Sequence, residues 1–437
     1  MMHPAYAAYN ALGTGAFCLL FPAYALLSGL RGRYRKEFRQ RMGIYPRRLF
    51  EGGRAGPRIW LHAASVGEVG VGAAVIGELV RIRPDCHITL STTTENGLAI
   101  AKKKLADTAA CVYAPVDFIA SVRNALRRVR PDVLALIETE IWPNWLIQAH
   151  RKGIRTAIVN GRISVRSIRG YLKARPIIKE TLRHVDTFSM IHPSDGDRIH
   201  RIGAPRNKIA INGNAKYDLL IKRADPRRLS ELKRIYNLSK TTPVLVAGST
   251  RNGEEERILD AFRDISITHK EAVLIIAPRH PERTRAILNM TAERGFACQL
   301  RTDLERVDRN ARVVILNTMG ELTSVYGLAS AAFCGGSLVP LGGQNVLEAA
   351  VWGVPVLYGP SMEDFQDAKD LLDRFGGGIQ VGDETELAER VNRLLADPDR
   401  STETGRRARA AVESHAGAAV KHAAVICDLL DRSDRLG

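Results

Sequence analysis

The sequence predicts an α/β fold made of two Rossmann-like domains that face each other across a cleft. Two successive stretches of the chain alternate short apolar runs with helical segments such as 121–129 and 254–262. This alternation is typical of parallel sheets wrapped by helices. A length of 437 residues allows two domains of about 200 residues each. The hydrophobic content of 45% and the charged content of 25% are ordinary for a globular protein.

Each predicted strand is a short apolar run followed by a polar or glycine-containing segment. In the first half of the chain these runs are 59–62, 88–91, 111–114, 133–137, 156–160 and 187–191. In the second half they are 244–248, 273–277, 313–316, 332–334 and 355–358. We therefore predict an N-terminal domain over 31–221, a polar linker over 222–242 and a C-terminal domain over 243–437.

Residues 5–30 carry no charged side chain, and a strongly basic segment follows them. Between Arg31 and Arg54 there are nine basic residues against two acids. Roughly 20 apolar residues can span a bilayer, and a basic flank keeps its side in the cytoplasm. We therefore predict a membrane anchor over residues 1–30, with the remaining chain on the cytoplasmic face. Asn10, Thr14 and Pro22 lower the apolarity of the segment, so a helix lying in the membrane interface is the alternative.

The net charge of +17 indicates an anionic partner. Nucleic acid is disfavoured because the basic residues are not interleaved with aromatic side chains that could stack on bases. We expect the basic segment to lie against anionic lipid or an anionic lipid substrate instead. The six cysteines are scattered without metal or redox spacing, as in free thiols of a reducing compartment. The sequence predicts neither a metal site nor a cofactor.

Glu68 is the first candidate site residue, because it follows the first predicted strand at the start of a helix. The nearby Gly70-Val71-Gly72 is not a dinucleotide fingerprint, since Val75 occupies the place of the third glycine. A glutamate at this position can stabilise the helix dipole. It can also take a proton from an attacking hydroxyl group. The local sequence leaves both roles open.

Glu138 and Glu140 follow the apolar run 133–137, and Pro143 suits the first turn of the next helix. If the strand continues that far, both carboxylates lie on one side of it. The alternative is a helix-capping cluster. Lys216 stands in the turn 213–218, where a cation can hold a carboxylate or phosphate or remain solvated.

The glycine-rich segment 334–348 joins a predicted strand to an apolar, alanine-rich helix. Glycines allow close approach of a ligand, and a helix start offers unpaired N–H groups. We therefore predict a phosphate cradle at Ser337, Gly342 and Gly343. Asn345 and Glu348 follow, where they can reach the sugar of a bound nucleotide. The alternative is a tight turn between strand and helix.

In the second half of the chain, two further segments lie between the end of a predicted strand and the start of the next helix. Arg279 and His280 follow the run 273–277, and residues 318–321 follow the run 313–316. Arg279 can hold a base or a phosphate. Because the carboxyl ends of parallel strands form the ligand-binding edge of such sheets, we expect these segments in the predicted cleft.

Together these segments resemble the Kdo transferases of Gram-negative bacteria, which move 3-deoxy-D-manno-octulosonic acid (Kdo) from CMP-Kdo to a lipid A precursor. The resemblance runs from the N-terminal anchor to about residue 375, and it rests on six motifs that occur in the family's order. They are ASVGE (64–68), ETEIWPN (138–144), GNAKYD (213–218), PRHPER (278–283), MGEL (319–322) and CGGSLVPLGGQNVLE (334–348).

The resemblance implies a GT-B type glycosyltransferase and a role for each matched position. Glu68 corresponds to the general base that deprotonates the acceptor hydroxyl, and Glu138 and Lys216 to residues that stabilise the transition state. The positions implied in CMP binding are Pro278, Arg279, Met319, Gly320, Glu321, Asn345, Val346, Leu347 and Glu348. The implied reaction is an inverting, metal-independent transfer in lipopolysaccharide core biosynthesis, at the cytoplasmic face of the inner membrane.

The chain departs from the family pattern at three positions. Gln344 stands where His is usual, Val346 where Pro is usual, and Asn317 where Asp is usual. Gln344 can donate a hydrogen bond to phosphate but cannot carry the charge of histidine. Two other functions fit the same fold: a glycosyltransferase or epimerase using another nucleotide sugar, and a non-catalytic protein that binds anionic lipid. The number of Kdo units, the acylation of the acceptor and the oligomeric state do not follow from the sequence.

Overall fold

The structure, a computed structural model, describes residues 3–30, 34–50 and 56–434, with the backbone alone for 20–30, 34–36 and 433–434. The chain forms two compact units. The first comprises Met1–Leu219 together with Ala416–Gly437, and the second comprises Leu220–His415.

The first unit is built on a parallel sheet of seven strands in the order β3-β2-β1-β4-β5-β6-β7. Its strands are β1 (Arg58–His62), β2 (His87–Thr92), β3 (Ala109–Tyr113), β4 (Val133–Ile137), β5 (Arg155–Gly161), β6 (Thr187–Met190) and β7 (Ile209–Ile211). Its helices are α1 (Pro4–Leu30), α2 (Tyr34–Arg41), α3 (Val66–Ile82), α4 (Glu95–Leu105), α5 (Ile119–Val129), α6 (Pro143–Arg151), α7 (Ser167–Lys173), α8 (Arg175–Arg183), α9 (Pro193–Ile202) and the start of α10 (Lys216–Arg223).

The second unit contains another parallel sheet of seven strands, in the order β10-β11-β9-β8-β12-β13-β14. Its strands are β8 (Val244–Thr250), β9 (Val273–Pro278), β10 (Cys298–Leu300), β11 (Val313–Ile315), β12 (Ala331–Cys334), β13 (Val356–Tyr358) and β14 (Gly378–Gln380). Its helices are α11 (Pro226–Ile235), α12 (Glu255–Thr268), α13 (Thr284–Glu293), α14 (Leu322–Val325), α15 (Leu347–Ala350), α16 (Gln366–Phe375), α17 (Glu384–Ala396) and α18 (Pro398–Glu413).

The last helix, α19 (Ala418–Asp434), belongs to a different unit than the predicted domain boundaries imply. The sequence places it in the second domain, but Ala419, Ala423 and Ile426 belong to the core of the first unit, where they pack with α3. The apolar face of α19 is therefore buried against the first sheet rather than the second.

The central strands of the first sheet are buried on both faces because alternate side chains enter two separate cores. Leu61 and Ala135 lie in the core covered by α3, α4 and α19. Trp60 and Leu134 lie in the core covered by α5, α6, α8 and α9. As a result α3, which follows β1, and α6, which follows β4, pack on opposite faces of the sheet. The neighbouring ends of β1 and β4 therefore form a topological switch point, the usual ligand position in such sheets.

The N-terminal helix α1 docks on the first unit through its first turns. Tyr6 is buried, and its hydroxyl donates to Asn144 Oδ1 at 2.6 Å and accepts from Gln148 Nε2 at 2.8 Å. The Tyr9 hydroxyl donates to Asp117 Oδ2 at 2.7 Å, and the Phe17 ring stacks on Phe118.

The predicted anchor is described only in part. The side chains of residues 20–30 lie outside the described residues, as do Arg31, Arg33 and Arg54 of the basic segment and the side chains of Arg35 and Lys36. In the part of the chain that the structure describes, none of the helices combines the length and the apolarity needed to cross a bilayer. The membrane anchor thus stays a prediction.

Candidate active site

Glu68 lies in the first turn of α3, directly after the end of β1. Its carboxylate accepts hydrogen bonds from Ser65 Oγ at 2.8 Å and from the Ala64 N–H at 2.7 Å. This is the geometry of a carboxylate that reaches back to the residues preceding its helix. Glu68 is half-buried, and the Ser65 and Ala64 contacts fix its orientation.

The pKa of the Glu68 carboxyl is raised above its usual value. Burial is the largest cause, and the hydrogen bonds from Ser65 and Ala64 oppose it. The charges of Glu138 and Glu140 raise this pKa further. A carboxyl group with a raised pKa is a better proton acceptor once it is ionised.

Glu138 does not continue strand β4, which ends at Ile137. Its φ is +60°, in the left-handed region that costs a residue with a side chain about 1–3 kcal/mol. The strand does not continue as far as Glu140, so the condition under which Glu138 and Glu140 would share one side of it is not met. The backbone turns after Ile137, so that Glu138 Oε1 reaches Lys216 Nζ at 2.7 Å. Glu140 Oε2 instead accepts a hydrogen bond from Trp142 Nε1 at 2.8 Å.

Lys216 is the first residue of α10, and the turn before it is fixed by hydrogen bonds. The Ala215 N–H donates to Asn160 Oδ1 at 2.8 Å, and the Lys216 N–H donates to Asn214 Oδ1 at 3.0 Å. Asn160 lies at the end of β5 and also has a left-handed φ, of +52°. Strained residues at the ends of two neighbouring strands, β4 and β5, thus support the Glu138–Lys216 pair.

The structure contradicts the phosphate cradle predicted at Ser337, Gly342 and Gly343, because the N–H groups of all three residues are bonded within the protein. The N–H groups of Gly336, Ser337 and Leu338 donate to the buried carboxylate of Glu254, at 2.6, 2.9 and 2.9 Å. This carboxylate also accepts the Arg251 N–H at 2.9 Å. Because Glu254 already occupies these donors, the segment at Ser337 is an internally held turn rather than a phosphate site.

Gly342 and Gly343 are engaged in the same way. The Gly342 N–H donates to Ser361 Oγ at 2.9 Å, and the Gly343 N–H donates to the Gly336 carbonyl at 2.8 Å. Their φ values of +78° and +75° explain why glycine occupies both positions, since other residues rarely adopt this conformation. The glycine pair therefore shapes the turn, and its N–H groups are not free for a ligand.

Glu321 lies between two arginines near the carboxyl ends of β10 and β11. Its Oε1 accepts from Arg228 at 2.5 Å and from the buried Arg301 at 3.2 Å, and its Oε2 accepts from Thr318 Oγ1 at 2.5 Å. The neighbouring Met319 and Gly320 are exposed, with Gly320 at φ +85°. The carboxylate of Glu321 is therefore held in one place by charge-assisted hydrogen bonds.

The remaining predicted nucleotide residues follow β9 and β12. Pro278 ends β9 and is buried, whereas Arg279 is exposed. Asn345 Oδ1 accepts the Leu347 N–H at 3.2 Å, and Glu348 Oε2 accepts from Thr323 Oγ1 at 3.0 Å. Val346 and Leu347 are buried, so they can offer a ligand little beyond their backbone atoms. Helix α15 is four residues long, shorter than the apolar sequence suggests.

Two contributors to the first-unit site were not assigned a role from sequence. Asp218 accepts hydrogen bonds from the N–H groups of Gly417 and Ala419, and His422 donates to or accepts from groups beside the Lys216 turn. No local motif marks His422, because its partners lie far away in the sequence. Among residues 3–30, 34–50 and 56–434, no group of three or more His, Cys, Asp or Glu side chains is arranged to hold a metal ion.

Comparison with known proteins identifies relatives of this chain. A family model described as 3-deoxy-D-manno-octulosonic-acid transferase (kdotransferase) matches residues 36–219. A 3-deoxy-D-manno-octulosonic acid transferase of Haemophilus influenzae is 31% identical over 381 residues, covering 86% of this chain and 87% of the relative. A Bordetella pertussis protein of the same name is 29% identical over 386 residues, covering 84% and 88% of the two chains.

The fold has solved counterparts as well. The crystal structure of UDP-GlcNAc 2-epimerase from Neisseria meningitidis bound to UDP-GlcNAc covers 86% of this chain and 100% of its own, with a TM-score of 0.59 and 12% identity. At this identity the likeness concerns the fold alone. The extent of the match to the Haemophilus influenzae enzyme decides the family: this chain is a glycosyltransferase and belongs to the 3-deoxy-D-manno-octulosonic acid transferases.

Proposed function

We propose that this chain transfers Kdo from CMP-Kdo to a lipid A precursor with inversion at the anomeric carbon, as a step of lipopolysaccharide core biosynthesis. The observation that supports this most is the grouping of Glu68, Glu138 and Lys216 at the carboxyl ends of β1, β4 and in the first turn of α10. This group combines a carboxyl group whose pKa is raised with an ion pair. The chain that carries it belongs to a family of Kdo transferases.

In this proposal Glu68 is the general base. The acceptor hydroxyl oxygen forms a bond to the anomeric carbon of Kdo while its proton passes to the Glu68 carboxylate. The bond between the anomeric carbon and the phosphate oxygen breaks, and CMP leaves with the electron pair. A single displacement of this kind inverts the anomeric configuration. The contacts to Ser65 and Ala64 hold the carboxylate in place for the transfer.

Glu138 and Lys216 stabilise the charges that develop in the transition state. Positive charge grows on the sugar ring as the bond to the leaving group breaks, and negative charge grows on the departing phosphate. The Glu138 carboxylate stabilises the first and the Lys216 ammonium stabilises the second, without reorganisation at the moment of reaction. Their ion pair of 2.7 Å keeps both groups in position before the substrates bind.

The second unit binds the CMP part of the donor. Arg279 is exposed and can hold the phosphate, and the backbone at Met319 and Gly320 can approach the nucleotide closely. The Glu321 carboxylate is held by Arg228 and Arg301, so it offers a fixed acceptor. Because Glu254 occupies the N–H groups around Ser337, we assign the polar contacts of this segment to the Asn345 and Glu348 side chains.

We further propose that α1 and the basic segment hold the enzyme at the cytoplasmic face of the inner membrane, beside its lipid acceptor. Residues 5–30 carry no charge. Leu12 and Leu19 of α1 are exposed at 76% and 81%, which is costly in water but favourable in the acyl region of a membrane. The basic residues that follow suit anionic headgroups. The proposed reaction requires no metal ion and no cofactor.

The test is product formation by the purified full-length chain from CMP-Kdo, generated in situ, and a tetraacylated lipid A precursor in mixed micelles. We expect a product heavier by one or more Kdo residues in the mass spectrum, and an inverted anomeric linkage by NMR. UDP-GlcNAc as the donor is expected to give no transfer. Transfer from UDP-GlcNAc but none from CMP-Kdo would overturn the assignment of the donor.

A further inference from the structure

His422, on the C-terminal helix α19, is buried in the first unit and bonded to three different segments of it. Its Nε2 lies 3.1 Å from the Gly213 carbonyl, and its Nδ1 lies 2.7 Å from Ser189 Oγ. Ser189 Oγ in turn accepts a hydrogen bond from Asn212 Nδ2 at 2.6 Å. The imidazole therefore links α19 to β6 and to the turn that precedes Lys216.

The partners of His422 define which nitrogen carries the proton. A carbonyl oxygen can only accept, so the Nε2 facing Gly213 must be the protonated nitrogen. Nδ1 is then the acceptor, and the Ser189 hydroxyl donates to it. The more distant Asn160 N–H, 3.5 Å away, is also directed at Nδ1. Burial lowers the pKa of His422 to about 4, which agrees with a neutral ring that uses both nitrogens.

The segment that His422 contacts is the turn that leads into Lys216. Gly213 has no side chain and a φ of +90°, and the next two residues lead directly into Lys216. Two hydrogen bonds connect residues 213–215 of this turn to other elements of the first unit: His422 donates to the Gly213 carbonyl, and the Ala215 N–H donates to Asn160 Oδ1. Within the turn, the Lys216 N–H donates to Asn214 Oδ1. Asp218 adds a second connection to α19, by accepting from the Gly417 and Ala419 N–H groups at 2.7 and 2.9 Å.

We propose that His422 is a positioning residue for the transfer reaction: as a neutral imidazole on the last helix, it fixes the Gly213 turn and so places the Lys216 ammonium against Glu138. This inference rests on the proposed function, in which Lys216 stabilises the transition state. It makes the last helix part of the catalytic unit, although the six motifs of the active site all lie before residue 350. His422 itself touches no reacting atom.

The experiment compares two substitutions of His422 in the full-length enzyme. His422→Phe keeps a planar ring but removes both hydrogen bonds, whereas His422→Gln keeps one donor and one acceptor. We expect His422→Phe to lower kcat by about 10-fold or more, because displacement of a catalytic group by about 1 Å can cost up to about 100-fold. We expect KM for CMP-Kdo to stay within about twofold, and His422→Gln to recover most of kcat.

A matched control separates positioning from simple loss of stability. Ile426 lies one turn further along α19 and is fully buried in the same unit, but it takes no part in the hydrogen bonds around Gly213. Ile426→Ala should lower the melting temperature at least as much as His422→Phe while leaving kcat close to the wild-type value. Equal losses of kcat in the two variants would overturn the positioning role and leave His422 a structural residue.

A double-mutant cycle that combines His422→Phe with Lys216→Met tests this inference separately from the proposed function on which it rests. If His422 acts through Lys216, then His422→Phe should lower the residual kcat of Lys216→Met by less than about twofold. If His422→Phe lowered the kcat of Lys216→Met by as large a factor as it lowers that of the wild type, the inference would be contradicted. If Lys216→Met alone has wild-type activity, the assumed role of Lys216 fails instead. Should His422→Phe not fold, Ser189→Ala removes the donor to Nδ1 and takes its place in the same cycle.

Discussion

Lys216 Nζ lies 2.7 Å from Glu138 Oε1, which joins the first turn of α10 to the residue that follows β4. Glu138 reaches this position because its backbone adopts a left-handed φ of +60°. Strain of this kind persists where the surrounding structure enforces it, and it is concentrated at functional sites. The pair is therefore a built feature of the first unit, in place before substrate is bound.

Removal of either partner of this pair should slow the chemical step. We expect Lys216→Met and Glu138→Gln each to lower kcat by about 100-fold, since each removes charge stabilisation from the transition state. The double variant should lose less than the product of the single losses, because the two groups act as a unit. Lys222→Met, on the exposed part of the same helix, is the control and should have wild-type kcat. Strictly multiplicative losses would show that the two groups act independently.

The raised pKa of Glu68 should appear in the pH dependence of the reaction. A general base must be ionised, so kcat/KM should rise with pH through the Glu68 pKa and level off above it. Because burial raises this pKa, the rise of kcat/KM on the acidic side of the pH profile (the acidic limb) should lie at a higher pH than the usual pKa of a glutamate. Ser65→Ala removes a hydrogen bond that stabilises the ionised form, so it should move the limb to higher pH. A limb that does not move in Ser65→Ala would argue against Glu68 as the titrating group.

Glu254 should be essential for the glycine-rich turn although it is not predicted to touch the substrate. Its carboxylate accepts four backbone N–H groups, and Glu254→Gln would place an amide N–H₂ among these donors. Each buried donor left without an acceptor costs about 1–3 kcal/mol. We expect a lower melting temperature and a CMP affinity reduced by about 10-fold or more in calorimetry. Glu256→Gln, at an exposed position two residues later, should change neither quantity; an equal effect there would exclude this explanation.

The first turns of α1 should contribute to the stability of the folded enzyme. Tyr6→Phe keeps the buried ring beside Arg151 but leaves Asn144 and Gln148 without the hydroxyl. We expect a loss of about 1–3 kcal/mol in the free energy of unfolding. Leu12→Ala, at an exposed position of the same helix, should change it by less than about 0.5 kcal/mol. Deletion of residues 1–30 should therefore both weaken membrane binding and lower the melting temperature; an unchanged melting temperature would contradict the docking role.

The sequence was sufficient to predict the central strands because they are continuous apolar runs. Val133–Ile137 has the predicted bounds, and the other predicted strands differ by one or two residues at an end. The strands that were missed, β7, β10 and β14, have three residues each, lie toward or at the sheet edges and are only partly buried. Such strands are formed by pairing with a neighbour, and their own residues carry little apolar pattern.

Local motifs predicted the strand ends and helix starts that form the candidate site, but not all of the contacts made there. Glu68, Glu138 and Lys216 stand where strand ends and helix starts predicted them, whereas the carboxylate that fills the turn at Ser337 comes from Glu254, a distant residue with no motif of its own. A glycine-rich loop predicts a set of directed N–H groups, and their acceptor can be either a ligand or a buried side chain. The position of His422 is likewise set by the return of the last helix to the first sheet.

The most direct test of the central claim is the single-turnover rate of Kdo transfer by wild type, Glu68→Gln and Glu78→Gln, with CMP affinity measured on the same preparations. Glu78 lies on the same helix, where it is partly buried and pairs with the exposed Arg81. We predict that Glu68→Gln loses about 100-fold or more in rate with unchanged CMP affinity, as expected for a lost general base, and that Glu78→Gln matches the wild type. A Glu68→Gln enzyme that transfers Kdo at the wild-type rate would contradict the account.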